Sequence, residues 1–189
     1  MSVVNPRQRQ KIVIVNTGCA NISSVRFALE RLGVEVDVSD DVNVIKNADK
    51  VFLPGVGTAA AAMASIKQKA LVETLQSLTQ PVLGVCLGMQ LMVETSAEGG
   101  FQGTGNIDCL NLMPGHVARM ESKGVRLPHM GWNYLSKYFG DPKYCKFKEF
   151  TSKSFYFVHN YETDSIDNLD FCLTTSYFDH NIVAICAVN

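Results

Sequence analysis

The stretch Pro81-Val82-Leu83-Gly84-Val85-Cys86-Leu87-Gly88-Met89-Gln90 decides how this chain folds. Its first half is an apolar run that follows a proline, which predicts a buried strand, and its second half predicts a helix from Met89 to Glu94. A cysteine at this junction, with glycine two residues to either side, is the thiol form of the G-x-S-x-G nucleophile elbow. The helix N-terminus would place unpaired N–H groups beside the sulfur and favour a thiolate. We therefore expect Cys86 to be a nucleophile.

Length and composition are those of one ordinary globular domain. The 189 residues are 47% hydrophobic, and a net charge of −1 gives no reason to expect binding to nucleic acid or an anionic membrane. The first ten residues lack the apolar centre of a signal peptide, and no apolar run approaches the roughly 18 residues of a membrane-spanning helix. The six cysteines form no C-x-x-C pair. We expect a cytoplasmic protein with reduced thiols and neither a metal site nor a membrane span.

Strand and helix patterns alternate through the first half of the chain. We expect strands at 11–15, 34–38, 51–54 and 81–85. We also expect a helix that begins at Asn21 or Ser23 and ends at Leu32, and one alanine-rich helix from 59 to 78. Such an alternation predicts a three-layer α/β sheet. Residues 1–10 are expected to be poorly ordered.

The pattern changes after Glu94. A glycine-rich stretch at 98–105 is expected to form a surface loop. Shorter strands are expected beyond it, at 116–120, 155–158, 171–176 and 182–188. We interpret them as an antiparallel extension of the same domain, which would span residues 11–189.

Ligands of α/β proteins bind where the carboxyl ends of the parallel strands meet. The turn after the first strand, the turn Pro54-Gly55-Val56-Gly57 and Cys86 should therefore converge. Glycines let the Pro54–Gly57 turn aim backbone N–H groups at a ligand. With the N–H of Leu87, that turn predicts an oxyanion hole. A plain connection into the next helix is the alternative.

These residues resemble a known enzyme family. Gly-Val-Cys-Leu-Gly-Met-Gln at 84–90 and Pro-Gly-Val-Gly at 54–57 are similar to the class I, or triad-type, glutamine amidotransferases, whose sheet is flavodoxin-like. More narrowly, the chain resembles the glutaminase subunits of imidazole glycerol phosphate synthase, of histidine biosynthesis. The narrower match includes Met113-Pro114-Gly115, Pro128-His129-Met130-Gly131-Trp132-Asn133 and Phe155-Tyr156-Phe157-Val158-His159. The resemblance extends from about Lys11 to the last residue.

The resemblance implies roles for the matching residues and implies no cofactor. Cys86 would attack the carboxamide of glutamine to form a glutamyl thioester, with an oxyanion hole made by the N–H groups of Gly57 and Leu87. The substrate-binding residues would be Gln90, His159, Asn160 and Tyr161. The partner would be a cyclase subunit, a (β/α)8 barrel that receives the ammonia within a heterodimer with lyase activity. The residues facing it would be His129, Met130, Trp132 and Asn133.

The chain departs from the family pattern in three places. Asn16-Thr17-Gly18-Cys19-Ala20-Asn21 stands where the family has Asp-Tyr-Gly-x-Gly-Asn, and Asn160 stands where it has serine. The family's His-Pro-Glu, which supplies the general base and the group that orients it, is absent from the sequence. None of His116, His129, His159 and His180 is expected to replace that base. We therefore expect a domain truncated at its C-terminus and a 189-residue polypeptide with little or no glutaminase activity.

Three interpretations remain open from the sequence. The chain is a fragment of an active glutaminase subunit, or it is a truncated, inactive remnant that still binds the partner. A third and less favoured interpretation is another cysteine-elbow hydrolase, such as the DJ-1-like proteins, which share the fold but lack Pro-His-Met-Gly-Trp-Asn. Glutamine-dependent thioester formation would separate the first interpretation from the third.

Overall fold

The structure is a computed structural model that describes residues 10–99, 105–122, 124, 126–140, 149–164, 171–177 and 180–187. The first nine residues and the centre of the glycine-rich stretch, residues 100–104, lie outside the described residues. The chain forms two compact units, residues 1–112 and 113–189, and each is described by itself. Among the described residues, no helix has the length and apolar character needed to cross a membrane.

Four parallel strands form the centre of the first unit. They are β1 (Ile12–Val15), β2 (Val36–Ser39), β3 (Lys50–Gly55) and β4 (Val82–Cys86), arranged in the order β2-β1-β3-β4. All four residues of β1 are buried isoleucines and valines, as is typical of a parallel strand covered on both faces. The four strands expected from the sequence are confirmed, with bounds that differ by one or two residues. The expected burial of the strand before Cys86 is wrong, because β4 lies at the edge of this four-stranded sheet and Leu83 and Val85 are exposed.

Helices cover both faces of this sheet. On one face, α1 (Ile22–Arg31) packs through Leu29 against Ile12 and Ile14. On the other face, Val13 and Val15 belong to a larger core. Four helices contribute to that core: α2 (Val42–Lys46), α3 (Ala59–Gln68), α4 (Val72–Gln76) and α5 (Leu87–Gln90). Because successive side chains of β1 enter different clusters, the unit has three layers, which confirms the predicted α/β class.

The single alanine-rich helix expected from 59 to 78 is wrong, because α3 and α4 are separated at Ala70. Ala70 has a φ of +54°. Its N–H donates to the carbonyl of Lys67, and the N–H of Leu71 donates to the carbonyl of Ile66, each at 3.0 Å. This is the Schellman arrangement that ends helices. Glycine usually marks it, so an alanine hides the helix end from sequence analysis, and burial of Leu71 accompanies the break.

Replacing Ala70 with glycine is expected to stabilise the protein by about 0.5–1 kcal/mol, because glycine adopts a positive φ without a Cβ penalty. Urea denaturation of the variant and the parent would measure the difference in unfolding free energy. Ala64→Gly, at an exposed position within α3, is the matched control and should destabilise by roughly 1 kcal/mol. A loss of stability in Ala70→Gly would contradict the prediction.

The helix expected to run from Met89 to Glu94 is also wrong in extent, because α5 ends at Gln90. The carbonyls of residues 91–94 accept hydrogen bonds from the N–H groups of residues 109–112, at 2.8–2.9 Å. Those carbonyls bond to a distant segment instead of to a following helical turn. Next to this contact, β5 (Thr95–Ser96) pairs antiparallel with β6 (Ile107–Asp108).

The described strands of the second unit pair antiparallel. β7 (His116–Arg119) pairs with β10 (Tyr161–Asp164). A four-stranded sheet has the order β12-β11-β8-β9, formed by β8 (His129–Gly140), β9 (Ser154–His159), β11 (Phe171–Tyr177) and β12 (His180–Ala187). The four expected strands and their antiparallel character are confirmed. β8 and β10 were not among them.

Candidate active site

Cys86 ends β4 and stands immediately before α5. Its backbone has φ +55° and ψ −122°, a combination that is strained for any residue other than glycine. Its side chain is exposed. A strained, exposed nucleophile at the carboxyl end of a parallel strand is the geometry of the nucleophile elbow. The helix beside it, α5, is a single turn of four residues, shorter than the sequence suggests.

Close packing requires both glycines of the elbow. A Cβ on Gly84 would lie 2.5 Å from the Cα of Met89 in α5. A Cβ on Gly88 would overlap the carbonyl oxygen of Leu53 in β3. Backbone atoms block both positions, so neither clash can be relieved by moving a flexible side chain. The two glycines therefore allow α5 to pack closely against β3 and β4 on either side of Cys86.

Strand β3 brings the turn Pro54–Gly57 next to the elbow. Gly55 is the register partner of Cys86, and the chain leaves the strand at that point. Gly57 has a φ of +93°, which favours glycine. The N–H of Val56 donates to the carbonyl of Cys19 at 2.9 Å. The turns that follow β1, β3 and β4 therefore meet at one edge of the sheet, as the sequence predicts.

Local hydrogen bonds shape the turn after β1. Asn16 Oδ1 accepts from the N–H of Gly18 at 3.2 Å, and Thr17 Oγ1 accepts from the N–H of Cys19 at 3.3 Å. The Asn21 side chain accepts from the N–H of Ser24 at 3.3 Å and caps α1. Asn16 stands where the family has aspartate, and its amide oxygen supplies the acceptor that a carboxylate would offer.

Of the three cysteines whose side chains are described, Cys86 is the exposed one. Cys109 is buried, and burial raises the pKa of its thiol to about 11, which keeps it protonated and unreactive. Cys19 is half-buried, with its Sγ 3.9 Å from the carbonyl oxygen of Ala61. Within the described part of the chain, no cluster of three or more His, Cys, Asp or Glu side chains could hold a metal ion.

Glu98 is a half-buried carboxylate to which sequence analysis assigned no role. Its Oε2 accepts from the N–H of Ala59, the first residue of α3, at 3.3 Å. Its own N–H donates to Ser96 Oγ at 3.1 Å. Burial raises the pKa of Glu98, and the hydrogen bond from Ala59 partly opposes that shift. Because Ala59 follows Gly57 by two residues, this carboxylate lies at the helix into which the Pro54–Gly57 turn leads.

Replacing Glu98 with glutamine is expected to raise the melting temperature at pH 7. The raised pKa means that the ionised carboxylate costs stability, and this cost disappears as pH falls below the pKa. The gain in the variant should therefore grow as pH rises above about 4.5 and vanish near pH 4. Melting curves from pH 4 to 8 would show it. The exposed Glu35→Gln is the control, and an equal response in both variants would contradict the prediction.

In the second unit, His129 and His159 form a hydrogen-bonded pair. His159 Nδ1 lies 3.0 Å from the carbonyl oxygen of Tyr161, so Nδ1–H donates there and Nε2 is left as an acceptor. His129 Nδ1–H then donates to His159 Nε2 at 3.0 Å. The His129 ring is 2% exposed and stacks on Phe157. His129, expected at the partner surface, is thus buried in this chain. Asn160 accepts the N–H of Met120 through its carbonyl at 3.0 Å.

Acidification is expected to destabilise the protein through His129. Burial, and secondarily His159, lowers the pKa of His129, so the folded state favours the neutral ring. The resulting stability is present above about pH 6.5 and is lost as pH falls through the lowered pKa. Melting temperature between pH 5 and 7.5 should depend on pH less steeply in His129→Gln than in the parent. The control is His116→Gln, and equal slopes for parent and His129→Gln would argue against this role.

Apolar side chains cover the outward face of the β8–β9 hairpin. They are Met130, Trp132 and Tyr134 on β8 with Tyr156 and Val158 on β9, which we call the aromatic face. Met130 pairs with Val158 in register, and Trp132 pairs with Tyr156. The Trp132 side chain is 73% exposed, and its ring centroid lies 5.7 Å from that of Tyr156. Contiguous exposed apolar surface of this kind is typical of interaction sites. Asn133 lies between these positions and is half-buried.

An α/β sheet that exposes a strained thiol beside a glycine turn is suited to acyl transfer through a thioester. A sequence model of the family described as glutamine amidotransferase class-I matches residues 13–189. A crystal structure of a glutamine amidotransferase superimposes with a TM-score of 0.62 at 14% identity, over 83% of this chain and 76% of that one. This likeness supports the shared fold.

Sequence identity to named relatives assigns the chain to a narrower family. The chain is 52% identical over 160 residues to the imidazole glycerol phosphate synthase subunit HisH of Colwellia psychrerythraea, covering 80% of this chain and 70% of the relative. It is 52% identical to that of Idiomarina loihiensis, covering 79% and 71%, and 49% identical to that of Haemophilus influenzae, also covering 79% and 71%. The chain therefore belongs to the class I glutamine amidotransferases and, among them, to the family of imidazole glycerol phosphate synthase HisH subunits.

Proposed function

We propose that this protein is the glutaminase subunit of an imidazole glycerol phosphate synthase and acts in histidine biosynthesis. Residues 11–189 would belong to one amidotransferase domain within a cytoplasmic heterodimer. The observation that carries the proposal is Cys86, strained and exposed in a chain about half identical to relatives named as that subunit. Those relatives are named as subunits of imidazole glycerol phosphate synthase, which gives no support to the alternative of a DJ-1-like hydrolase.

The proposed chemistry begins at the Cys86 sulfur. The thiolate adds to the carboxamide carbon of glutamine, and the negative charge on oxygen is stabilised by the N–H groups of Gly57 and Leu87. When the tetrahedral intermediate collapses, the C–N bond breaks, and the nitrogen takes up a proton and leaves as ammonia. Water then cleaves the thioester to glutamate and the free thiol. Gly57 follows Gly55, the register partner of Cys86, by two residues, which supports this assignment.

Glutamine also presents an α-ammonium and an α-carboxylate, which a binding site must recognise. We assign the α-ammonium to Glu98, because a half-buried carboxylate that follows the elbow and touches the N-terminus of α3 is its natural counter-charge. Gln90, at the end of α5, and the segment His159–Tyr161 are the further proposed substrate contacts. Glu98→Gln should therefore weaken glutamine binding as well as raise stability at pH 7.

The aromatic face is the proposed contact with the cyclase barrel. Trp132 and Tyr156 are the residue types that dominate binding energy in protein interfaces. The residues proposed from the sequence, Met130 and Trp132, lie on this face. Buried His129 would act from beneath it by holding the hairpin, and half-buried Asn133 would act at its base.

The general base is not supplied by the first unit, because the sequence has no histidine before His116. The resemblance assigns the base to a His-Pro-Glu segment that these 189 residues do not contain. A polypeptide of these residues alone is therefore proposed to turn glutamine over slowly. The interpretation as an inactive, partner-binding remnant also predicts slow hydrolysis by this polypeptide. The rate of hydrolysis therefore cannot separate the two interpretations, and the test measures formation of the thioester instead.

The test is the capture of the glutamyl thioester on Cys86. The protein is mixed with its cyclase subunit and glutamine, quenched in acid and digested, and the peptide containing Cys86 is weighed by mass spectrometry. Because deacylation also needs a base, a slow enzyme should accumulate the adduct. We expect a glutamyl adduct with glutamine and none with asparagine. Absence of the adduct in protein that binds the cyclase would favour the partner-binding remnant.

A further inference from the structure

The side chain of Ser65, on α3, makes a hydrogen bond to a residue outside its own helix. A helical serine ordinarily bonds to the carbonyl four residues before it or points into solvent. Ser65 Oγ–H instead donates to the carbonyl of Thr17 at 2.5 Å, across 48 positions in sequence. The rest of α3 is rich in alanine, which has a higher helix propensity than serine. Helix stability therefore gives no reason for a serine at this position.

The bond from Ser65 begins a relay that ends beside Cys86. Thr17 is 1% exposed, and its Oγ1 accepts the N–H of Cys19 at 3.3 Å. The Cys19 carbonyl accepts the N–H of Val56 at 2.9 Å. Val56 stands between Gly55, the register partner of Cys86, and Gly57. Every step joins described residues of the first unit.

The contact between Ser65 and the turn after β1 also depends on close packing at Gly18. Gly18 has a φ of +80°, and a Cβ there would lie 3.0 Å from Ser65 Oγ. Cys19 is also anchored on α3, through the contact of its Sγ with the Ala61 carbonyl. The turn after β1 therefore contacts α3 at two points. The Ser65 hydroxyl is the better donor of the two, because a thiol is a weak hydrogen-bond donor.

We infer that Ser65 is a positioning residue that sets the direction of the Gly57 N–H through the relay Thr17–Cys19–Val56. This inference rests on the proposed function, since the Gly57 N–H matters only if an oxyanion forms at Cys86. Loss of the Ser65 hydroxyl frees the Thr17 carbonyl and loosens the Pro54–Gly57 turn. A displaced oxyanion donor slows acylation while leaving substrate binding nearly unchanged.

Two reagents separate this effect from general damage. A chloromethyl ketone derived from glutamine alkylates Cys86 by way of an oxyanion. The thiolate adds to the ketone carbon to give a tetrahedral oxyanion, and the sulfur then attacks the adjacent CH2 as chloride leaves. The bond between sulfur and the former ketone carbon breaks as the C=O re-forms, which leaves a thioether. Iodoacetamide alkylates the same sulfur by direct displacement of iodide, with no oxyanion. The rate ratio of the two reagents therefore reports the oxyanion donors and not the reactivity of the thiol.

Ser65→Ala is expected to lower the ketone-to-iodoacetamide ratio at Cys86 by about tenfold, while the rate with iodoacetamide stays near that of the parent. Ser65→Thr, which keeps a hydroxyl, should restore most of the ratio. Ser77→Ala is the matched control, because Ser77 Oγ donates to the Thr74 carbonyl at 2.9 Å on α4. In the Ser65→Ala protein, the Val56 amide should also exchange its hydrogen faster.

Several results would overturn the inference. An unchanged ratio in Ser65→Ala would do so, as would equal slowing by both reagents together with a lower melting temperature. An unchanged exchange rate at Val56 would show that the relay does not hold the turn. If the parent protein reacts no faster with the glutamine-derived ketone than with chloroacetone, the proposed function itself fails, and the inference fails with it.

Discussion

Replacing Cys86 with alanine is expected to abolish the glutamyl adduct, because the thioester would form on that sulfur. In a protein extended by a relative's C-terminal segment, which supplies a general base, the same change is expected to lower glutamine hydrolysis at least about 10⁴-fold. Fold stability should change little, since the side chain is exposed and fills no part of the core. The adduct is measured by mass spectrometry, and hydrolysis is measured as glutamate released in the presence of the cyclase. Hydrolysis is compared in the extended protein, because its parent rate is high enough for a large decrease to be measured.

Cys19→Ala is the matched control for this experiment. Cys19 belongs to the turn that touches Val56, yet its thiol is half-buried and lies against a backbone carbonyl. The variant should retain the adduct, because the relay uses the backbone of Cys19 and not its thiol. An adduct that persists in Cys86→Ala, or that disappears in Cys19→Ala alone, would show that the nucleophile is misassigned.

Replacing Trp132 with alanine is expected to weaken binding to the cyclase subunit by about 30- to 1000-fold, which corresponds to roughly 2–4 kcal/mol. The side chain is 73% exposed and stands at the centre of the aromatic face, so the free protein loses little packing. Titration calorimetry with the purified cyclase subunit would measure the affinity.

The control for Trp132→Ala is Phe27→Ala, which removes a comparably exposed aromatic ring from α1 in the first unit. It should leave the affinity unchanged. Equal affinities for the parent and Trp132→Ala would mean that the aromatic face is not the cyclase contact. In that case a lower melting temperature of the variant would point to a role within the fold.

The elbow could be predicted from the sequence because its chemistry is local. Few residue types can occupy these positions, because Cys86 has a positive φ and other backbone atoms lie against Gly84 and Gly88. The residue pattern therefore indicates the backbone geometry. The strands of the first unit could also be predicted, because short β-branched runs between helices have few other folds available. Because the carboxyl ends of parallel strands lie at one edge of a sheet, the convergence of the turns after β1, β3 and β4 could be predicted as well.

The strand β8 was not predicted, and of the aromatic face only Met130 and Trp132 were expected at the surface, on the family resemblance alone. A half-buried strand normally places its large apolar residues inward, whereas Trp132 and Tyr134 face outward and His129 faces inward. The alternation of β8 is therefore inverted with respect to the usual rule, and Gly131 weakens the strand signal further. Only the burial of the side chains in the folded chain shows which side is exposed.

The sequence by itself determined the fold class, the family and the position of the Gly-x-Cys-x-Gly elbow, because each depends on residues whose neighbours in sequence are also their neighbours in space. Only the tertiary structure decided where α3 and α5 end, how the Ser65 relay reaches Val56, and that Glu98 is half-buried. Those features depend on hydrogen bonds and burial between segments tens of residues apart. Local propensity holds no information about such contacts, since a carbonyl accepts equally well from its own helix or from a distant strand.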